Sequence, residues 1–157
     1  MGTGGPGQRQ EEGSYGANCW LFNARPGQPE IQQRPVEFNW KTTDVKGGNR
    51  IPVFADTMWR GGGPFYMNGS SGSNRITPPE FSGQWSGAAH EMKHYAINRH
   101  NGSNNHLFLD WSVRKVDIKE LWKLKWHRQY NRNGFWSMAG GAQTSDWPHW
   151  MRNFKEY

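Results

Sequence analysis

The chain has 157 residues, a formal charge of +6 at neutral pH and a sequence pI near 9.7, enough for one domain and suited to an anionic partner. Only 34% of it is hydrophobic, yet 15% is aromatic and ten residues are tryptophan; core volume must come from a few large rings, each burying roughly 150–250 Å², which excludes disorder throughout. The single cysteine, Cys19, excludes an intrachain disulfide and a cysteine-based zinc finger, and neither a membrane-spanning apolar run nor an opening signal peptide is read.

Residues 1–13 hold no apolar side chain after Met1 and are expected as a flexible lead to one domain over 14–157. Ser14 to Phe22 should be extended, and the proline-punctuated Arg25 to Pro35 a surface loop. Phe38-Asn39-Trp40 reads as a short strand or the start of a turn. Ile51 to Asp56 is an apolar run expected as a buried strand, with Pro52 near its start where a missing donor is tolerated. Gly61 to Gly87 is rich in Gly, Ser, Pro and Asn, a long loop of the functional or mobile kind. Regular structure should resume at His94, with a strand over 94–100 and a polar turn over Asn101-Gly102-Ser103-Asn104-Asn105. A buried strand over 106–110, a tight turn and a third strand at Val113 follow. Asp117 with Glu120 forms a capping-box pattern. It predicts a short helix with Ile118, Leu121, Trp122 and Lys125 on one face and Lys119 and Lys123 outside. Trp147, Trp150 and Phe154 should pin the C-terminus to the body.

Candidate chemistry is sparse. Between Arg99 and Arg132 lie eight basic residues against three acidic ones, so most of the positive excess is there. Arg114 and Lys115 are its candidates for an anionic polymer, although the solvated side of amphipathic elements is the preferred reading. Trp59, Trp85 and Trp136 sit in Gly-rich loops; exposed, they would stack on sugar rings or bases, and buried, as preferred here, they would anchor the loops. His90-Glu91-Met92-Lys93-His94 matches the H-E-x-x-H zinc-protease pattern, but Ser82 to Gly87 is a poor helix start, and the match reads as chance. There is no phosphate-binding glycine loop and no G-x-S-x-G elbow. No catalytic residue, metal or cofactor is therefore assigned.

His100 and Asp110, with Asn101 and Gly102, form the most specific stretch. Asp110 is expected to accept N–H groups from the turn Trp111-Ser112 and His100 to bond a loop carbonyl. The sharper alternative is a metal site of His100, His106 and Asp110. A calcium loop does not fit, since only Asp110 and Asp117 are near and calcium takes six to eight oxygens.

These residues resemble the C-terminal heads of prepilin-like proteins, which planctomycete-type bacteria encode in large numbers and which carry an H-x9-D-G signature. His100 and Asp110 stand at that spacing, with Trp111 in place of the glycine. Ile51-Pro52-Val53-Phe54, Ile97 to Gly102, Leu107 to Val116 and Asp146-Trp147-Pro148 are similar to one subgroup. The resemblance implies an α+β head: a small antiparallel sheet with long Gly-rich loops and one short helix, lacking the hydrophobic N-terminal helix. It implies a type IV pilin or type II secretion pseudopilin subunit of the cell envelope or cell surface, without catalysis, whose partners are other pilin-like subunits or the secretion apparatus. The rival reading is a binding module for glycans or anionic polymers; nucleic acid is disfavoured.

Overall fold

The computed structural model describes residues 14–66 and 75–157; the expected lead over 1–13 and part of the expected long loop lie outside the described residues. The strands there are β1 (Tyr15–Asn18), β2 (Glu30–Ile31), β3 (Arg34–Pro35), β4 (Pro52–Asp56), β5 (Gly61–Gly62), β6 (Ser103–Phe108) and β7 (Val113–Asp117). Five of them form one sheet in the order β5-β1-β4-β6-β7, and β2 pairs with β3 in a separate hairpin. The large sheet is antiparallel except where β5 runs parallel to β1. That pairing needs glycine, because a Cβ at Gly61 would lie 2.5 Å from the Ala17 carbonyl oxygen. Alternation along the strands sets the two faces. Ala17, Phe54, Leu107 and Val113 stand in register across one face, whereas Ala55 and His106 point into the core.

The core is aromatic, as the composition predicts. Trp20, Trp122, Trp126, Trp147, Tyr95, Tyr130 and Phe108 are its largest fully buried side chains, joined by Ile51, Ile76, Met92 and Ile118. These rings also satisfy the loops. Indole N–H groups donate to main-chain carbonyls: Trp20 to Pro64 (3.1 Å), Trp122 to Ile76 (2.7 Å), Trp126 to Leu121 (2.8 Å) and Trp150 to Pro79 (2.8 Å). A chain poor in helix and strand leaves many carbonyls without ladder partners, and buried ones must be paired. Tryptophan supplies one donor with its large apolar ring. The C-terminal rings behave as expected: Trp147 is buried against Trp122 and Trp136 at 5.1 Å, and Phe154 packs over Gly102.

Three expectations are corrected. The segment 94–100 is not a strand. Glu91–His94 is a 3-10 turn, Tyr95 to Ile97 is buried without ladder pairing, and β6 takes β4 and β7 as its neighbours instead. Tyr95 explains this: its hydroxyl donates to the carbonyls of Ala17 (2.7 Å) and Gly62 (3.0 Å), which needs the ring beneath the sheet edge. The expected helix is a 3-10 turn, Ile118–Lys123, and Asp117 makes no cap bond. The carboxylate of Asp117 accepts from the Tyr157 hydroxyl, and Glu120 is held by Arg114 through two bonds of 3.1 and 2.7 Å. Both capping-box members have thus taken stronger partners, a hydroxyl from the tail and a bidentate guanidinium. Lys119, expected outside, is buried; its Nζ lies 2.5 Å from Glu156 Oε1 and 5.0 Å from the Trp147 ring. The lysine clamps the tail to the body.

Candidate functional site: a tryptophan-rimmed cleft

The signature residues build turns. Asn101 and Gly102 both have positive φ (52° and 88°) and lead into β6, where the Gly102 carbonyl accepts from the Ile118 N–H at 2.9 Å. They therefore do not close a hairpin between 94–100 and 106–110. Asp110 Oδ1 accepts the Ser112 N–H at 3.0 Å and its hydroxyl at 2.6 Å, which holds this carboxyl below its ordinary range. Trp111 occupies the left-handed region (φ 67°) while 73% exposed. A side chain there costs roughly 1–2 kcal/mol. Trp111→Gly is accordingly expected to raise stability by about 1 kcal/mol in urea denaturation; a loss would mean that the exposed indole gains more than the turn costs.

His100 does not bond a loop carbonyl. Its Nε2 lies 3.1 Å from Asp56 Oδ2 and 3.0 Å from the Asn105 side-chain nitrogen. Asp56, which closes β4, is the buried hub that sequence reasoning missed: it also accepts the Asn105 N–H at 2.7 Å and lies 3.7 Å from Arg99. An acid ending an apolar strand was the available signal. His106 points instead into the core beside Phe108 and Trp126. Among the described residues no group of three or more His, Cys, Asp or Glu side chains is placed to hold a metal ion.

Of the loop tryptophans only Trp136 is an anchor, packed against Trp122 and Trp147. Trp59 and Trp85 are 42% and 49% exposed and stand 4.8 Å apart, tilted by 43°; the preference for burial is corrected for both. The reason is steric. His94 already fills the space beneath, stacked on Trp85 at 5.1 Å, with Nδ1 3.0 Å from the Gly61 carbonyl and Nε2 3.4 Å from that of Gly87. The basic stretch also divides. Arg114 is engaged by Glu120 and lies over the Phe108 ring at 4.6 Å, while Lys115 is exposed on β7.

Trp59 lines a cleft of about 470 Å³ together with Cys19, Phe22, Gln32, Gln33, Arg34, Arg60 and His94, among others. Its floor is a buried ion pair. Arg34 Nη2 is 2.5 Å from Glu91 Oε1, and Glu91 Oε2 accepts the Gly63 N–H at 2.6 Å. The glutamate of the H-E-x-x-H match is therefore engaged by an arginine and an amide. It sits in a 3-10 turn that does not put His90 and His94 one α-helical turn apart. Burial pushes the Cys19 thiol up to about 11 against the pull of Arg34, so it stands there as a small apolar group. One wall is the β2–β3 hairpin. Its two-residue turn, Gln32-Gln33, has positive φ at both positions (51° and 63°), a geometry that ordinarily selects Asn-Gly. Two side-chain bonds hold it: Gln32 Oε1 accepts from Arg34 Nη1 and Gln33 Oε1 from Arg75 Nη2, both at 2.8 Å. Arg60 stands 5.6 Å over the Trp59 ring. The cleft thus combines flat exposed rings with amides and guanidinium groups. Compared with models of protein families, with curated proteins and with solved structures, the chain matches none of them.

Proposed function

We propose that this domain is a non-catalytic binding head of the cell envelope or cell surface, and that its ligand is a neutral glycan held in the Trp59 cleft. The observation that carries this reading is the pair of half-exposed indoles, Trp59 and Trp85, beside a concave site. Trp85, stacked on His94, and Trp59, packed against Trp85, offer apolar faces to the C–H face of a sugar ring. The strained Gln32-Gln33 turn sets two amides on the wall in a backbone conformation that costs energy, and such strain gathers at binding sites. The volume lies within the roughly 300–1,000 Å³ usual for ligand pockets.

The test is calorimetric titration with short linear oligosaccharides of glucose and of N-acetylglucosamine. Trp59→Ala and Trp85→Ala should each weaken binding about two- to ten-fold, as expected for stacking worth ~0.5–1.5 kcal/mol. Affinity should barely change between ~50 mM and ~500 mM salt, whereas an anionic polymer would lose affinity steeply. Binding unaffected by either substitution would remove the cleft from consideration.

The pilin-like reading concerns what carries the head, and a specific observation favours it. Trp111, in the slot of the signature glycine, has the positive φ that glycine adopts freely. It is checked in the coding sequence ahead of Met1. A pilin leader there, with Phe-Thr-Leu-Ile-Glu and about 20 apolar residues, would supply the assembly helix, and an unrelated reading frame would leave a binding module alone.

A further inference from the structure

The positive charge of this chain is not evenly paired. In the basic stretch, Arg99 donates to the carbonyls of Ser14 and Thr57, Arg114 holds Glu120 and Lys119 holds Glu156. Two further cations of the stretch, Lys125 and Arg132, are placed differently. They meet Lys46 and Arg50, more than seventy residues away in sequence, around a concavity of about 470 Å³ that Asn49 and Trp40 also line. It shares no lining residue with the Trp59 cleft.

The site is built, not a chance crowding of mobile side chains. The Lys125 N–H donates to the Arg50 carbonyl at 2.8 Å, tying the two segments together. Lys125 Nζ donates to the Tyr130 carbonyl at 3.0 Å, and Arg132 Nε to that of Lys123 at 2.7 Å, so both cations are oriented by neutral partners that leave their charge uncompensated. The Trp40 indole donates to the Trp126 carbonyl at 3.2 Å and fixes that wall. Asp110 abuts Gly48 at the rim, but its carboxylate is engaged by Ser112.

Electrostatics agree with the geometry. Lys123, Lys125 and Arg132 are each pushed below their ordinary range, first by burial and then by neighbouring cations: Arg132 and Arg50 act on Lys123, Arg132 on Lys125, and Arg50 on Arg132. Like charges held together in a half-buried hollow destabilise a fold until an anion enters, and a cleft lined by one sign concentrates anions.

We propose that this hollow is a binding site for a pyrophosphate-type group, two or three linked phosphates on a small molecule. Four cations, Lys46, Arg50, Lys125 and Arg132, match the charge of a di- or triphosphate. A single phosphate would fill only a fraction of the space. The hollow is local, unlike the extended basic stripe along which a nucleic-acid backbone lies.

The experiment is titration of the whole chain with inorganic pyrophosphate and with inorganic triphosphate, followed by calorimetry and by thermal unfolding. Saturable one-to-one binding is expected, with a rise in unfolding temperature and a steep fall in affinity as salt increases. Arg50→Gln removes an exposed guanidinium that the fold does not use and should weaken binding about ten-fold. Lys115→Gln, which removes the same charge from a strand that does not line the hollow, should change it less than two-fold. Three results would overturn the proposal: no saturation with either anion; equal losses in the two variants, which would mean diffuse attraction; or binding confined to oligonucleotides and growing with their length. Each is read in proteins whose unfolding temperatures without ligand are compared first, so a misfolded variant is not taken for a non-binder.

Discussion

Acidification from neutral pH to pH 5 should lower the stability of this protein by about 4 kcal/mol, through two histidines that sequence reasoning did not single out for this. Burial pushes His106 and His127 down from 6.5 to about 3. His106 lies beside Phe108 and Trp126, with Arg114 adding to the shift. His127 is surrounded by Trp20, Phe38, Phe65 and Tyr130 at 4.4–5.7 Å. Its Nδ1 accepts the Gln129 N–H at 3.2 Å, so the ring is held neutral and serves as one more aromatic face. Because the folded values are depressed, the unfolded chain binds the extra protons. Stability is full above 6.5 and is lost as pH falls from 6.5 toward 3, by about 2 kcal/mol for each ring at pH 5. His90, lowered by burial and by Lys93, acts in the same sense. Urea denaturation at pH 7 and pH 5 measures the difference. In His106→Leu and His127→Phe the difference between the two pH values should shrink by about 2 kcal/mol each, whatever the variants do to absolute stability. Ordinary carboxylates titrate below this window, so a flat profile between pH 7 and 5 would refute the assignment.

Removing one partner of the ion pair under the cleft should cost about 3–5 kcal/mol. Arg34 and Glu91 have side chains only 6% and 4% exposed. Each charge is tolerable in that position because the other is 2.5 Å away and because the Gly63 N–H completes the carboxylate. Arg34→Ala strands a buried carboxylate, and Glu91→Gln strands a buried guanidinium. The pair also joins β3, the Gly63 segment and the 91–94 turn, so its loss should loosen the cleft as a unit. The double variant Arg34→Met with Glu91→Gln keeps an acceptor for Gly63 and removes both charges; it should recover most of the loss, as uncharged replacements of buried pairs often do. Single-variant costs below ~1 kcal/mol would indicate a pair that water screens as it does on a surface.

The elements legible in the sequence were those whose signal is local. Ile51 to Asp56 and Leu107 to Lys115 alternate or run apolar over strand lengths, and they fall largely within β4, β6 and β7, although β6 starts at Ser103, inside the expected turn, and pairs with β4 rather than with 94–100. The aromatic core was readable from composition, and the tail anchors Trp147, Trp150 and Phe154 from ring size alone. Asp110 bonding Ser112 followed from turn chemistry. What failed depended on partners far along the chain. The run Tyr95 to Ile97 has the composition of a strand, but the Tyr95 hydroxyl is drawn to Ala17 and Gly62. The capping box at Asp117 was overridden by Tyr157 and Arg114. The cleft gathers residues from 19–34, 59–61, 75 and 88–94, and Gln32-Gln33 has no turn signature. The basic hollow escaped notice because its halves, Lys46 with Arg50 and Lys125 with Arg132, belong to different segments.

The indole-to-carbonyl bonds that fasten the loops have a kinetic consequence. They span 44 residues from Trp20 to Pro64, 46 from Trp122 to Ile76, 71 from Trp150 to Pro79 and 86 from Trp40 to Trp126. Each therefore closes a long loop before it returns any stabilisation. With few local contacts to nucleate on, refolding belongs to the slow regime of distant pairings, on the order of milliseconds to seconds. During that interval unburied indoles are available to neighbouring molecules, so yield on refolding should fall as protein concentration rises.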